Sequence, residues 1–135
     1  MEDKDTKIIS GIEEKAEHIT PAEVDKVLSS EKVIDAKEDK VKREKLFKLF
    51  DQVKLGMQMM KDFKAKRYTQ VPWRTVGLIT AALLYFINPL DIIPDILPIF
   101  GYTDDAVAFA AIFKSIQTDL KNYCHWKGLD PANYF

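Results

Sequence analysis

The sequence predicts an all-α protein: a small helical bundle built on an apolar helical hairpin, whose two helices are joined by a proline- and aspartate-rich connection. Apolar residues recur at intervals of three and four along much of the chain, which is the period of a helix rather than of a strand. Strongly apolar segments flank residues 88–105. Those 18 residues hold three of the six prolines and four aspartates. A break of this composition between two apolar helices predicts a hairpin.

The length and composition are those of one globular domain: 135 residues, 47% apolar and 30% charged. The charge is unevenly distributed. Residues 1–39 carry 12 acidic and 6 basic residues, whereas residues 40–67 carry 10 basic and 3 acidic ones. We therefore predict an acidic helical extension over residues 1–38 and a helical domain over residues 39–135. Either the two segments face each other, or the basic one binds an outside anion.

The N-terminal extension should form amphipathic helices. Five apolar residues recur at helical spacing: Ile8, Ile9, Ile12, Ala16 and Ile19. A second helix should start at Thr20, because threonine caps helices, Pro21 suits the first helical position and Glu23 completes a capping box. The N-terminus lacks the apolar stretch of a signal peptide, and the single cysteine excludes an internal disulfide. Both features predict a cytoplasmic location.

Residues 39–67 are the longest periodic segment and predict a basic amphipathic helix. Its apolar stripe consists of Leu46, Leu49, Phe50, Val53, Met57, Met60 and Phe63. Two interpretations remain open: a core helix whose lysines are solvated, or a helix lying on an anionic membrane or an acidic partner. In the second, the contact residues are Lys42, Arg43, Lys45, Lys48, Lys54, Lys61, Lys64, Lys66 and Arg67. No aromatic residues alternate with these bases, which argues against nucleic-acid binding.

After a break at residues 68–71, residues 72–87 predict a helix that is apolar on nearly every side. Such a helix is buried in a protein core or in lipid. Between Arg74 and Asn88 there are 13 residues, whereas a bilayer-spanning helix needs about 20. This leaves open a core helix or a re-entrant or interfacial hairpin at a membrane.

A last helix is predicted from residue 103 to residue 126. Its apolar stripe is Phe109, Phe113, Ile116, Leu120 and Tyr123. We expect it to pack antiparallel on the preceding helix, with Gly77 and Ala81 against Ala106 and Ala110, because small residues four apart allow two backbones to approach closely. On this arrangement, replacing Ala110 with leucine should destabilise the protein by well over about 1 kcal/mol, because it overpacks the contact.

In the connection, the asparagine, the prolines and the glycine can each be explained by a structural role. Asn88 and Pro89 have the form of a helix start, Pro94 and Pro98 interrupt the chain, and Gly101 permits a conformation that other residues resist. The alternative is that the four aspartates converge on a hard cation such as Mg²⁺ or Ca²⁺: Asp91, Asp95, Asp104 and Asp105. Their spacing matches no known cation-binding loop, which favours the structural interpretation.

The connection resembles the YkvA-like domain family. The matching residues are Leu84 to Asp95, LYFINPLDIIPD, followed by Pro98, Gly101, Tyr102, Asp104 and Asp105. Many positions match in order, and the resemblance covers about residues 72–126. It implies a small helical domain that is often membrane-associated, and it implies no established reaction.

Three functions are consistent with these observations. The sequence favours a non-catalytic helical module at the cytoplasmic face of a membrane or on a membrane partner. One alternative is a soluble protein-interaction or adaptor domain in which the apolar residues are only core. The other is a small Mg²⁺- or Ca²⁺-dependent hydrolase using the aspartates. No cofactor is expected apart from that divalent cation, and no oligomeric state is predicted.

Overall fold

A computed structural model describes residues 3–38, 47–88 and 106–135. The helices of these residues are α1 (Asp3–Ala16), α2 (Pro21–Ser29), α3 (Glu31–Glu38), α4 (Phe47–Lys64), α5 (Trp73–Ile87), α6 (Ala106–Ser115) and α7 (Gln117–Lys127), followed by a 3₁₀ turn at Pro131–Asn133. None of the described residues forms a strand, and the predicted all-α fold is confirmed.

Helix α5 lies at the centre of the bundle. Every residue from Thr75 to Tyr85 is buried, because α1, α2, α3 and α6 all pack against it. Helix α4 also reaches it: the Thr80 hydroxyl lies 3.4 Å from the Met60 sulfur. The apolar side chains on nearly every side of α5 therefore pack against other helices of the protein.

The N-terminal helices belong to the same hydrophobic core as the rest of the chain. The predicted apolar residues Ile8, Ile12, Ala16 and Ile19 are buried, Ile9 is half-buried, and α1 packs chiefly on α5. The acidic side chains at positions 13, 14 and 17 are exposed. The proposed domain boundary at residues 38–39 falls at the edge of the described residues, and helices on both sides of it contribute to one apolar cluster.

The predicted capping box at the start of α2 is confirmed. The Glu23 N–H donates to the Thr20 hydroxyl, and the Thr20 N–H donates to the Glu23 carboxylate at 3.1 Å. Pro21 occupies the first helical turn. The Lys15 ammonium, 2.6 Å from the Glu23 carboxylate, links the end of α1 to this cap.

Removing the cap should weaken the N-terminal half of the bundle. We expect Thr20→Ala to lower the free energy of unfolding by about 1 kcal/mol, because an orphan amide of α2 loses its acceptor. Urea unfolding of the full chain measures this. Thr69→Ala, at an exposed threonine in the α4–α5 connection, is the control and should change stability by less than about 0.5 kcal/mol. Equal effects of the two substitutions would contradict the role of the cap.

The predicted last helix is divided. Residue Ile116 leaves the helical region (φ −109°, ψ 13°) and separates α6 from α7. One residue earlier, the Ser115 hydroxyl donates to the Ile112 carbonyl at 2.6 Å, a contact that competes with the helical backbone bonds and bends helices. The predicted stripe is nevertheless buried at all five positions.

The antiparallel packing of the hairpin is present, but the predicted small-residue contact is wrong. The Tyr85 and Phe109 rings meet near one end of α5, and Thr75 bonds Asp119 near the other. However, Ala110 is exposed, so Ala110→Leu has no tight contact to disrupt. Gly77 instead lies against the Ala16 carbonyl at the end of α1. The pairs Tyr85–Phe109 and Thr75–Asp119 set an antiparallel register in which Gly77 falls beyond the end of α6, away from Ala106 and Ala110.

Candidate functional site

The proline- and aspartate-rich connection lies almost entirely outside the described residues. This applies to all four candidate cation ligands, Asp91, Asp95, Asp104 and Asp105, and to the motif residues Pro89, Pro94, Pro98 and Gly101. Asn88 is described: it is exposed and ends α5, with its N–H donating to the Leu84 carbonyl at 2.9 Å. Within the described residues, no three His, Cys, Asp or Glu side chains are grouped as metal ligands would be.

Aromatic rings pack where α5 ends and α6 begins. Phe109 lies 5.8 Å from the Tyr85 ring and 5.7 Å from the Phe86 ring. Beside them, an apolar cavity of about 30 Å³ is lined by Leu49, Phe50, Val53, Leu83, Phe86 and Phe109. Ligand pockets usually enclose about 300–1,000 Å³, so the described walls of this cavity are those of a packed core.

A larger cleft lies between α3 and α4. It encloses about 280 Å³ and is lined by Glu31, Ile34, Asp35, Val53, Lys54 and Met57. Its acidic residues come from α3 and its lysine from α4, so the cleft follows the boundary between the acidic and basic segments of the sequence. Lys54 is the one candidate site residue in it.

A buried carboxylate joins α4 to α7. Asp62 is 2% exposed, and its Oδ1 accepts hydrogen bonds from the Arg67 guanidinium at 2.8 Å. Its Oδ2 accepts from the Lys127 ammonium at 2.9 Å and from the Tyr123 hydroxyl. Two cations and a phenol therefore converge on one acid. We call these four residues the Asp62 cluster.

The Asp62 cluster holds its acid ionised. Burial by itself raises the pKa of Asp62, but the hydrogen bonds from Tyr123, Lys127 and Arg67 outweigh it and lower the pKa from 3.8 to about 2. Burial, together with the neighbouring Asp62 carboxylate, raises the pKa of Tyr123 well above its usual 10. A carboxylate and a phenol with these shifts neither gain nor lose a proton near neutral pH, so the cluster is suited to hold two helices together and not to acid–base catalysis.

Sequence reasoning missed Asp62 because an acid among lysines is usually solvated. The signal was its register: residues 55, 59 and 62 are four and three apart, and Leu55 and Met59 are both fully buried. An acid on the same helical face as two buried apolar residues is predicted to be buried with them. Its basic partners could not be identified in the same way, because Lys127 is 65 residues away.

The predicted membrane-contact residues differ in their surroundings. Lys61 and Lys64 form ion pairs with Glu31 of α3 and Asp25 of α2, each at 2.7 Å. Lys48 donates to the Ala132 carbonyl. Lys54 and Lys66 are exposed and form no ion pair in the described part of the chain. Three further candidates, Lys42, Arg43 and Lys45, lie outside the described residues.

Aromatic and basic residues gather at one end of the bundle, where α4 ends, α5 begins and α7 ends. The Phe63 ring lies 6.1 Å from the Trp73 ring, and the Tyr68 ring lies 4.9 Å from the Trp126 ring. Both tryptophans are partly exposed. We call this surface the aromatic–basic end and define it as Lys66, Arg67, Trp73, Arg74, Trp126 and Lys127.

The remaining reactive side chain is a thiol. Cys124 is fully buried, and this burial raises its pKa. A thiol in that environment is protonated near neutral pH and is a poor nucleophile. It packs in the apolar core beside Tyr123, so its role here is that of a small apolar side chain.

Two comparisons relate the chain to known proteins. A family model described as "Protein of unknown function (DUF1232)" matches residues 75–111, from the start of α5 into α6. The chain is also 34% identical, over 87 residues, to the "Uncharacterized membrane protein YkvA" of Bacillus subtilis (strain 168); the matched region is 64% of this chain and 82% of that protein. No solved structure matches the chain.

Among the described helices, none combines the length and the apolar character that a membrane crossing requires. The similarity to the Bacillus protein extends over most of that protein, and the motif matched by the family model is the one that the connection carries. The chain therefore belongs to the YkvA-like family of proteins of unknown function.

Proposed function

We propose that this protein is a non-catalytic helical module that associates with the cytoplasmic face of a membrane. The observation that carries the proposal is the similarity to a protein named as a membrane protein, 82% of whose length is aligned. The described residues supply two features suited to such an association: exposed tryptophans and unpaired exposed bases at one end of the bundle. Both features favour binding at a membrane surface.

The burial of α5 favours surface binding over insertion of the hairpin. Its residues from Thr75 to Tyr85 are covered by protein, not left as an apolar face for lipid. Inserting this helix into acyl chains requires α1 to leave it. That step exposes the Ile8 and Ile12 side chains, which are fully buried in the bundle, and it is unfavourable by a few kcal/mol.

A protein-interaction domain is the second candidate. It is favoured by the ion pairs from Lys61 and Lys64 to acids of α2 and α3. These pairs neutralise part of the basic helix within the chain itself, so fewer of its lysines remain for an anionic membrane. On this alternative, the apolar residues serve only as core and the partner is another protein.

Vesicle flotation separates the two candidates. We expect the full chain to float with phosphatidylcholine vesicles containing about 30% phosphatidylserine at low salt. We expect weaker flotation with pure phosphatidylcholine, because each base near an anionic surface contributes to binding. Raising the salt to about 1 M shortens the screening length to about 3 Å and should reduce flotation. If the chain stays at the bottom of the gradient with anionic vesicles at low salt, the membrane proposal is wrong and the interaction domain is favoured.

A further inference from the structure

The aromatic–basic end is assembled from residues that are distant in the sequence. The connection between α4 and α5 supplies Lys66 and Arg67, the first turn of α5 supplies Trp73 and Arg74, and the last turn of α7 supplies Trp126 and Lys127. Beneath them, Tyr68 contacts the Tyr123 ring at 5.2 Å, and the Asp62 cluster ties α7 to α4. The surface is therefore held on rigid elements.

Both tryptophans of the chain lie on this surface. Trp73 is 43% exposed and Trp126 is 46% exposed, although each ring also packs against an aromatic neighbour. Tryptophan prefers the boundary between headgroups and acyl chains, where its ring meets apolar groups and its N–H meets polar ones. Two half-exposed indoles at one end of a bundle have the chemistry of that boundary.

The charge around the tryptophans is positive. Residues 63–74 contain four bases and no acid. The neighbouring Asp62 is buried and already shared by Arg67 and Lys127, while Lys64 is paired with Asp25. Another nearby acid, Asp119, accepts a hydrogen bond from Thr75 at 2.5 Å. Lys66 and Arg74 form no ion pair in the described part of the chain, so their charge is available to an external anion.

Lys66 adopts a backbone conformation that favours glycine. Its φ is 62°, in the left-handed region. The N–H groups of Lys66 and Arg67 donate to the Phe63 and Asp62 carbonyls, which ends α4 in a Schellman motif. Glycine is unstrained at this position, and a lysine there is less stable by about 1 kcal/mol. The chain instead places an exposed lysine at the tip of the bundle.

We propose that the aromatic–basic end is the surface that contacts the membrane, with Trp73 and Trp126 at the headgroup boundary and Lys66 and Arg74 on anionic lipid phosphates. This inference rests on the proposed membrane function and gives it a specific surface. It differs from binding along the flank of α4, where Lys61 and Lys64 are already paired with acids. The bundle then meets the membrane end-on.

Tryptophan fluorescence tests the position of the indoles directly. The chain has two tryptophans, and both lie at this end. The tryptophan fluorescence should therefore shift to shorter wavelength when the chain binds vesicles with about 30% phosphatidylserine. Phosphatidylcholine brominated on its acyl chains should quench that emission. Trp73→Phe and Trp126→Phe, each leaving one tryptophan, should both retain the shift. Unchanged emission from a chain that floats with the vesicles would overturn the surface assignment and leave the membrane function standing.

A charge variant tests the bases, with a matched control elsewhere on the bundle. Lys66→Gln/Arg74→Gln should weaken partitioning onto anionic vesicles about thirtyfold. Lys32→Gln/Lys114→Gln removes the same charge from exposed positions on α3 and α6 and should change the partitioning by less than about threefold. Equal loss in both variants would contradict the assigned surface, whereas no binding by the unmodified chain would overturn the membrane function itself. Circular dichroism and thermal unfolding confirm that both variants are folded.

Discussion

Replacing Asp62 with alanine should lower the free energy of unfolding by about 2–4 kcal/mol. The substitution leaves the fully buried Tyr123 hydroxyl without its acceptor and removes the carboxylate shared by Arg67 and Lys127. Because Arg67 and Lys127 are partly exposed, water can solvate them in the variant, and this keeps the loss below that of a wholly buried ion pair. Urea unfolding at pH 7 measures the change.

The control for this substitution lies on the same helix. Asp51 is half-buried, and its side chain makes no ion pair or hydrogen bond in the described part of the chain, so Asp51→Ala should change stability by less than about 0.5 kcal/mol. A double-mutant cycle of Asp62→Asn with Tyr123→Phe should show a coupling of about 1 kcal/mol or more. Additive effects of the two substitutions would mean that the hydroxyl and the carboxylate do not stabilise each other.

The pH dependence of stability provides a second measurement on the same group. The pKa of Asp62 is about 2 in the folded chain, against 3.8 for an unperturbed aspartate. The unfolded chain therefore binds this proton first as the pH falls. The ionised Asp62 therefore stabilises the folded chain by about 2 kcal/mol above pH 4, and this contribution is lost between about pH 4 and pH 2. Asp62→Asn should lack this part of the acid dependence; an unchanged acid profile would contradict the assigned ionisation.

The helices and most of the core could be predicted from sequence because both depend on local periodicity. The stripe on α6 and α7, the face of α1 and the capping box at Thr20 are all where the pattern placed them. Each of these features is encoded within about 20 consecutive residues. The division at Ile116 was missed because the apolar spacing continues through it; the structural sign of the break is the Ser115 hydroxyl bonded to the Ile112 carbonyl beside it.

Contacts between distant segments could not be predicted in the same way. A small residue such as Gly77 indicates a close approach, but it does not identify the neighbour, and the sequence offered alanines on the last helix as plausible partners. The observed neighbour is a backbone carbonyl of α1, which leaves no trace in the side-chain pattern. Asp62 is a related case, because its burial follows from the register of α4 whereas its partners on α7 do not.

The two candidate sites differ in the same way: the connection is a continuous stretch of sequence, whereas the aromatic–basic end is assembled from distant segments. The connection identified the family because many residues match in order, and this needs no knowledge of the fold. The aromatic–basic end combines residues from three segments, and the two tryptophans are 53 positions apart in the sequence. Only the packing of α7 beside the end of α4 brings them to one surface. The bases of that surface were predicted in part, as members of the basic helix, whereas its tryptophans were not.

Replacing Gly77 with alanine should destabilise the protein by about 1–3 kcal/mol. A Cβ at this position would lie 2.6 Å from the Ala16 carbonyl oxygen, and that oxygen is backbone, so it cannot rotate away. Helix α1 must shift from α5, along which it makes its main contact. The loss should exceed the gain of about 1 kcal/mol that alanine gives over glycine in a helix. Thermal and urea unfolding of the full chain measure the net effect.

The same substitution at Gly56 is the matched control, since that glycine is also buried within a helix. A Cβ there meets side-chain atoms of Ile79 at 3.5 Å and of Phe113 at 3.6 Å, which are ordinary contact distances. Gly56→Ala should therefore leave stability unchanged or raise it by up to about 1 kcal/mol. Amide exchange adds a local test: Gly77→Ala should reduce protection in α1 more than in α7, because only α1 must move. If the two variants are equally stable, the contact between Gly77 and Ala16 does not limit how closely α1 and α5 pack.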